Sequence, residues 1–138
     1  MTAYIDPSKE QFKAFTKLPD EGPIWMLNFI RLRKNAKYDD GRKATGAEAY
    51  KTYGKESEPF FTAVGGKIVW SGAPELIVIG PQDKRWDIAF LAEYPHAAAF
   101  AEMVKTPGYQ AILHHRQAAV KDSRLIRMKP GEAGKLFA

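Results

Sequence analysis

The clearest alternation of apolar and polar positions lies in residues 86–94, where Trp86, Ile88, Phe90, Ala92 and Tyr94 fall on every second residue. Period two over that length predicts a β-strand. The opposite face, Asp87, Ala89, Leu91 and Glu93, is mixed and so only partly wetted. After Pro95, which suits a first helical turn, the period changes. Ala97, Phe100, Ala101 and Val104 recur at i, i+3, i+4 and i+7, a stripe that predicts a helix packed on a sheet. Thr106-Pro107 repeats the start signal, a capping hydroxyl followed by an N1 proline. The helix it opens places Ile112, His115, Arg116 and Ala119 on neighbouring turns of one face. Asp122-Ser123 breaks that helix, and residues 124–128 read as a last strand.

The first half of the chain supplies matching elements. Asp6-Pro7 caps and starts a short helix over about residues 6–18, with Phe12, Phe15 and Leu18 on its buried side, and Pro19 ends it. Residues 20–23 are a turn cluster. Residues 24–30 are apolar except for Asn28, which predicts a central strand covered on both faces. Residues 31–46 read as a polar loop, mobile around 37–43. Thr45 and Glu48 form a capping box that opens a second helix. Tyr50, Tyr53, Ser57 and Phe60 or Phe61 lie near one face of it, Pro59 kinks it, and Gly65-Gly66 stops it. Residues 67–72 and 75–80 are two strand-like runs around Gly72-Ala73-Pro74, read as one long bulged strand in preference to a hairpin. The last residues, about 129–138, form an arm whose Leu136 and Phe137 are expected to dock on a partner subunit.

The order is a leading helix, then β-α-β, then β-α-β with a split second helix. This predicts an α+β, ferredoxin-like βαββαβ domain with a four-stranded antiparallel sheet and helices on one face. The other sheet face is left bare. Its candidates, Asn28, Trp70 and members of the 86–94 strand, are too apolar to stay in water, so a two-fold partner is expected to cover them.

Composition narrows the function classes. A chain of 138 residues forms one domain with a real core. No apolar run approaches membrane-spanning length and no basic-then-apolar leader is visible, so the expected location is the cytoplasm. With no cysteine, disulfides, thiolate nucleophiles and cysteine-ligated metals are excluded. The net charge of +5 is scattered, and Arg31-Leu32-Arg33-Lys34 lacks aromatic interleaving, so no nucleic-acid partner is expected. Nor is there a metal-loop spacing or a phosphate-cradling glycine loop, so neither metal nor cofactor is expected, and without a G-x-S-x-G a serine triad is not expected either.

Asn28, the lone amide in an apolar strand, must be satisfied by backbone or by a ligand oxygen that it orients. His115 has the chemistry of a base, an acid or an axial ligand near neutral pH, or alternatively ties its helix to a neighbouring strand. His114 points about 100° away on the helix, so the two do not clasp one metal. His96 is expected to be exposed. Arg116 has the planar fork for a substrate carboxylate, or alternatively pairs with Glu93 or Asp87. Tyr50, Tyr53 and Trp70 are candidate pocket-lining residues, with core packing and dimer packing as their structural alternatives, and Trp86 shares the choice faced by Trp70.

Several stretches in order carry a resemblance: IDPSKEQFKAF, PIWMLNFIRLR, Tyr53-Gly54, GGKIVWSG, WDIAFLAEYP, the Met-x-x-x-Pro-x-Tyr of Met103, Pro107 and Tyr109, and HRQAA. Together, over roughly residues 5–127, the chain resembles the DUF1330 family of the dimeric α+β barrel superfamily. The resemblance implies the fold and a homodimer, while the family's activity is unassigned. The superfamily includes cofactor-independent monooxygenases, haem-degrading enzymes, muconolactone isomerases and stress-responsive barrels, commonly with a ligand between sheet and helices. Some haem-degrading members use an Asn on the first strand and a His on a late helix, the broad places of Asn28 and His115, within a different surrounding sequence. The expected function is a homodimer that binds a small, mostly apolar molecule with a polar or carboxylate end. It would turn that molecule over by proton transfer or oxygenation without a cofactor. The alternatives are a non-catalytic, stress-type dimer and haem binding through His115.

Overall fold

Among residues 3–132, 134 and 135, which the computed structural model describes, the elements run α1 (Lys9–Lys17), β1 (Ile24–Leu32), α2 (Gly46–Ala63), β2 (Lys67–Gly72), β3 (Ile88–Tyr94), α3 (Ala97–Lys105), α4 (Pro107–Ala119) and β4 (Val120–Met128). The strands form one antiparallel sheet in the order β2-β3-β1-β4. This is the ferredoxin-like arrangement, with the two βαβ halves interleaved so that β1 lies between β3 and β4. Its central place, between β3 and β4, suits a strand that is apolar at every position from Ile24 to Ile30 except Asn28.

The pleat sorts β1 into two faces. Ile24, Met26 and Ile30 are buried, and Ile24 and Met26 pack with Ala92, Tyr94, Phe100, Met103 and Tyr109 under the helices. Asn28 falls in the same register, opposite Phe90 and Leu125. Trp25, Leu27 and Phe29 alternate to the other face, where Trp70 and Ile126 are their lateral neighbours by pairing with Leu91 and Leu27. Asn28 therefore does not belong to the bare face, contrary to the sequence expectation. A continuous apolar strand carries no period with which to choose a side.

The capping box of α2 forms in full: the Thr45 hydroxyl accepts the Glu48 N–H at 3.0 Å and the Glu48 carboxylate accepts the Thr45 N–H at 2.8 Å. Gly65, at φ 82°, follows the C-terminus in the left-handed conformation that glycine tolerates. At α1 the cap is Ser8 rather than Asp6, because Ser8 accepts the Gln11 N–H. At α3 neither Pro95 nor His96 supplies a side-chain cap. Asp20, distant in sequence, accepts the Ala97 and Ala98 N–H groups at 2.8 and 3.1 Å, and these bonds hold its carboxyl below the usual range.

Four further expectations change. The strand expected at residues 86–94 begins at Ile88: Trp86 instead stacks near Phe29, and the Asp87 carboxylate accepts the Leu32 N–H at 2.7 Å. The last strand begins at Val120, with Asp122 and Ser123 buried inside it. Both polar groups are satisfied there by the incoming N-terminal segment, Asp122 by the Tyr4 N–H and Ser123 by the Tyr4 carbonyl. The loop after β1 is pinned, not loose: Arg33 and Lys37 donate backbone N–H groups to Ala119 and Ala118 on α4. Finally, β2 stops at Gly72, and residues 75–80 do not join the sheet: 75–77 have no regular structure and Val78, Ile79 and Gly80 form a bend. The expected docking of Leu136 and Phe137 lies outside the described residues.

Gly46 opens α2 where the pinned loop crosses it, and a β-carbon there would sit 1.9 Å from the Arg33 carbonyl oxygen. Gly54 faces open space in the same helix. Gly46→Ala is expected to cost about 3 kcal/mol in urea unfolding, since backbone must move. Gly54→Ala is expected to be neutral or to stabilise by up to about 1 kcal/mol.

Candidate functional site

The helical layer does not rest flat on the sheet. Between them lies a cavity of about 1330 Å³, floored by Met26, Asn28, Phe90 and Ala92 and walled by α2, α4 and the N-terminal segment. Most of its lining surface is apolar, as expected of a small-molecule site, with charged side chains of both signs also around it, Asp6 and Glu58 as well as Lys67, Arg116, Arg124 and Arg127. The Asn28 amide donates through Nδ2 to the Met26 carbonyl at 3.0 Å. Among the described residues its Oδ1 has no hydrogen-bond partner, and neither does the Tyr50 hydroxyl. Tyr50 and Tyr53 follow one another along α2 with ring centroids 5.6 Å apart, and the Tyr53 and Tyr109 hydroxyls meet at 2.6 Å.

Burial pushes the Tyr50 and Tyr109 phenols well above their ordinary value, and neighbouring Tyr53 adds to the rise. The positive charge of Arg116 offsets only part of it. These hydroxyls therefore stay protonated across the neutral range and act as hydrogen-bond donors.

Arg116 also lines the cavity, with its side chain only 13% exposed. It pairs with neither Glu93 nor Asp87. Its Nη1 donates to the Ile5 carbonyl, its Nη2 lies 3.3 Å from Ser123 Oγ, and the Asp6 carboxylate is 3.7 Å away. Arg127 holds the other end of the same segment through the Phe15 and Pro19 carbonyls at 3.0 and 2.8 Å. No residue of α1 is fully buried, yet Phe12 and Phe15 complete the cavity wall, so two arginines fasten a thinly packed cover.

Two of the sequence candidates are elsewhere. His115 is adjacent to Arg116 and so turns about 100° away from the cavity. Its Nδ1 lies 2.7 Å from the Tyr38 hydroxyl and its Nε2 lies 3.1 Å from the Glu56 carboxylate. A carboxylate can only accept, so Nε2 carries the proton and Nδ1 accepts from Tyr38. Burial, then the adjacent His114, depress its pKa, with Glu56 opposing. The neutral ring is a post that ties α2, α4 and the loop after β1 together. Trp70 is likewise not in the cavity: it is 47% exposed, and the pleat turns it away while its neighbour Ser71 lines the space. Thus Asn28, Tyr50, Tyr53 and Arg116 are brought together, and His115 and Trp70 are not. Tyr109 escaped the sequence reading, although Tyr109, Leu113 and Arg116 follow the i, i+4, i+7 stripe of one face of α4. Among the described residues no cluster of three or more His, Cys, Asp or Glu could hold a metal ion.

With this geometry established, residues 42–128 match the sequence profile of DUF1330, a domain of unknown function. The RPA0582 protein of Rhodopseudomonas palustris, of unknown function, is 55% identical, with 95% of this chain and 99% of that one aligned at a TM-score of 0.90. SnoaB of Streptomyces nogalater, described as a cofactor-independent oxygenase, is 14% identical over 83% of this chain and 98% of its own, at a TM-score of 0.54. A protein of unknown function from Bacteroides fragilis, described as dimeric and ferredoxin-like, is 12% identical over 80% and 99%, at 0.50. These last two likenesses show the fold alone. No curated protein matches.

The histidine post makes stability depend on pH. Its native pKa lies below the unfolded value of about 6.5, so the unfolded chain takes up protons first on acidification. The stability it contributes is complete above that value and is lost as pH falls toward the native pKa. His115→Gln is expected to lower stability at pH 7.5 by about 1–3 kcal/mol and to flatten the loss of melting temperature between pH 7.5 and 5. Circular dichroism melts across that range check it, and parallel curves would remove the post from the account.

Proposed function

The chain belongs to the DUF1330 family, a domain of unknown function, and from that premise we propose a homodimer that binds one small, mostly apolar organic molecule in the cavity of each subunit. The observation that carries this reading is the pair of polar atoms, Asn28 Oδ1 and the Tyr50 hydroxyl, that have no protein partner among the described residues and line a cavity whose surface is mostly apolar. Small-molecule sites set a few polar groups into an apolar lining, and a ligand's polar end bonds to what the protein leaves free. Tyr50 donates to a ligand oxygen, Asn28 accepts from a ligand hydroxyl or amine, and the Tyr53–Tyr109 pair offers one further proton. Arg116 draws an anionic end such as a carboxylate, which competes with the Ile5 carbonyl for the guanidinium.

These groups supply donors and positive charge rather than a base near neutral pH, since the buried phenols are held protonated and His115 faces away. Catalysis, on this reading, uses a substrate acidic enough to lose its proton to solvent; the anion that the site stabilises is then reprotonated at another atom, or reacts with dioxygen as the oxidant, with no bound cofactor. Cofactor-independent oxygenation is the activity described for the Streptomyces nogalater protein, and it supports this chemistry through fold alone. A second reading, a non-catalytic or stress-type dimer, draws support from the use of His115 as a structural post.

Native mass spectrometry, followed by a thermal-shift panel of aromatic and aliphatic carboxylic acids and their amides, separates the two. A dimer with a reproducible adduct, and acids that raise the melting temperature, are the expected results. Tyr50→Phe and Asn28→Leu should each weaken binding about five- to tenfold, the worth of one hydrogen bond. A dimer with no adduct and no stabilising compound would favour the second reading, and a monomer would remove the barrel.

A further inference from the structure

Residues 75–79 have the composition of a strand and no sheet to join. The run Glu75-Leu76-Ile77-Val78-Ile79 is rich in β-branched residues, yet 75–77 carry no regular structure and Val78 and Ile79 lie in a bend. Among the described residues none of its backbone N–H groups donates within the chain, and it belongs to no strand pairing. Leu76 is 74% exposed, Val78 82% and Ile79 95%. The run continues from β2, the sheet edge bordered only by β3, and every residue of that strand is exposed, Ile68, Val69 and Trp70 among them. Unpaired strand edges with large apolar side chains are what folded proteins avoid presenting to water.

We propose that this segment is an exchanged arm: it reaches a second copy of the chain, pairs there as a strand, and lays its apolar side chains against the open face of that copy's sheet. The proposal rests on the homodimer of the preceding section and assigns the element that makes it. Area favours a partner of this kind. Ile68, Val69, Trp70, Leu76, Val78 and Ile79 together leave on the order of 700–800 Å² in water, close to the about 800 Å² that one partner contributes to a stable interface. Complementarity favours a second copy over an unrelated protein. The same molecule carries both the protruding apolar strip and an uncovered apolar face bearing Trp25, Leu27, Phe29, Trp70 and Ile126, so a two-fold exchange satisfies each strip with the other. The run has a single charge, Glu75, which leaves nothing to recommend a nucleic acid or an anionic membrane.

The arrangement also bears on the cavity. Ile68 and Ser71 of β2 line it, so a second copy held along this edge stands beside its rim. Dimerisation and ligand access are thereby linked through one strand.

The chain has no native cysteine, so Val78→Cys creates a single thiol at a position that is 82% exposed in the isolated subunit. The expected result is slow maleimide labelling at high protein concentration and fast labelling after dilution below the dimer dissociation constant. Amide hydrogen exchange of wild type should show residues 75–79 protected, although the single chain offers them no acceptor. The paired substitution Val78→Asp with Ile79→Asp should weaken the dimer at least a hundredfold by light scattering while circular dichroism keeps its wild-type form. A wild-type dimer with fast labelling, free exchange at 75–79 and an unaffected Asp variant would overturn the arm and leave the homodimer standing. A wild-type monomer at high concentration would overturn both.

Discussion

A four-stranded sheet has two faces, and this chain has helices for only one of them. That constraint organises the molecule. β1 is apolar at nearly every position because it lies in the middle of the sheet, and half of its side chains necessarily point away from α2, α3 and α4. The chain answers on the helical side with a core of aromatic and aliphatic residues. On the other side it offers Trp25, Leu27 and Phe29, which the monomer cannot fully cover.

The helical side carries a second feature that the constraint does not require. α2 and α4 pack against one another and stand away from the middle of the sheet, so the space beneath them stays open instead of closing into core. The neutral His115, fixed by Tyr38 on one nitrogen and Glu56 on the other, braces that roof from outside. The side wall is supplied by a segment that precedes the ferredoxin-like elements and is held mainly through its carbonyl groups. Arg116 is engaged by the Ile5 carbonyl and Ser123, with the Asp6 carboxylate close by, so on the proposed reading an entering anion would compete with the contacts that seat the N-terminal segment.

Much of the fold was legible in the sequence. The period-two alternation of residues 86–94, the Thr45/Glu48 capping box and the Thr106-Pro107 start each specify local geometry, and all three lead to the observed elements. What stayed hidden depends on distant contacts. Asp20 caps α3 from across the fold, and nothing near His96 announces it. Asp122 and Ser123 look like a helix break until Tyr4 arrives to satisfy them inside β4. The candidate site divides on the same line. Asn28 was visible as the one amide in an apolar strand, whereas the side it faces is set by tertiary packing. His115 drew attention through its chemistry, but one residue along a helix is a turn of about 100°, and that rotation separates it from Arg116. The strand read over residues 75–80 did not form, because β-branched composition sets only a local preference and no neighbouring strand in the chain pairs with this run.

The pairing of β1 with β4 has a consequence for how the molecule comes into being. These are the first and last strands of the chain, yet they lie side by side along almost their whole length. On a ribosome β1 emerges early and waits for its neighbour until the helices and strands between them have been synthesised. Until then its most apolar strand has an open margin, a condition that slows folding and invites association with other nascent chains. Completion of the sheet therefore waits for β4, and truncation shortly before Val120 would remove the strand that seals β1.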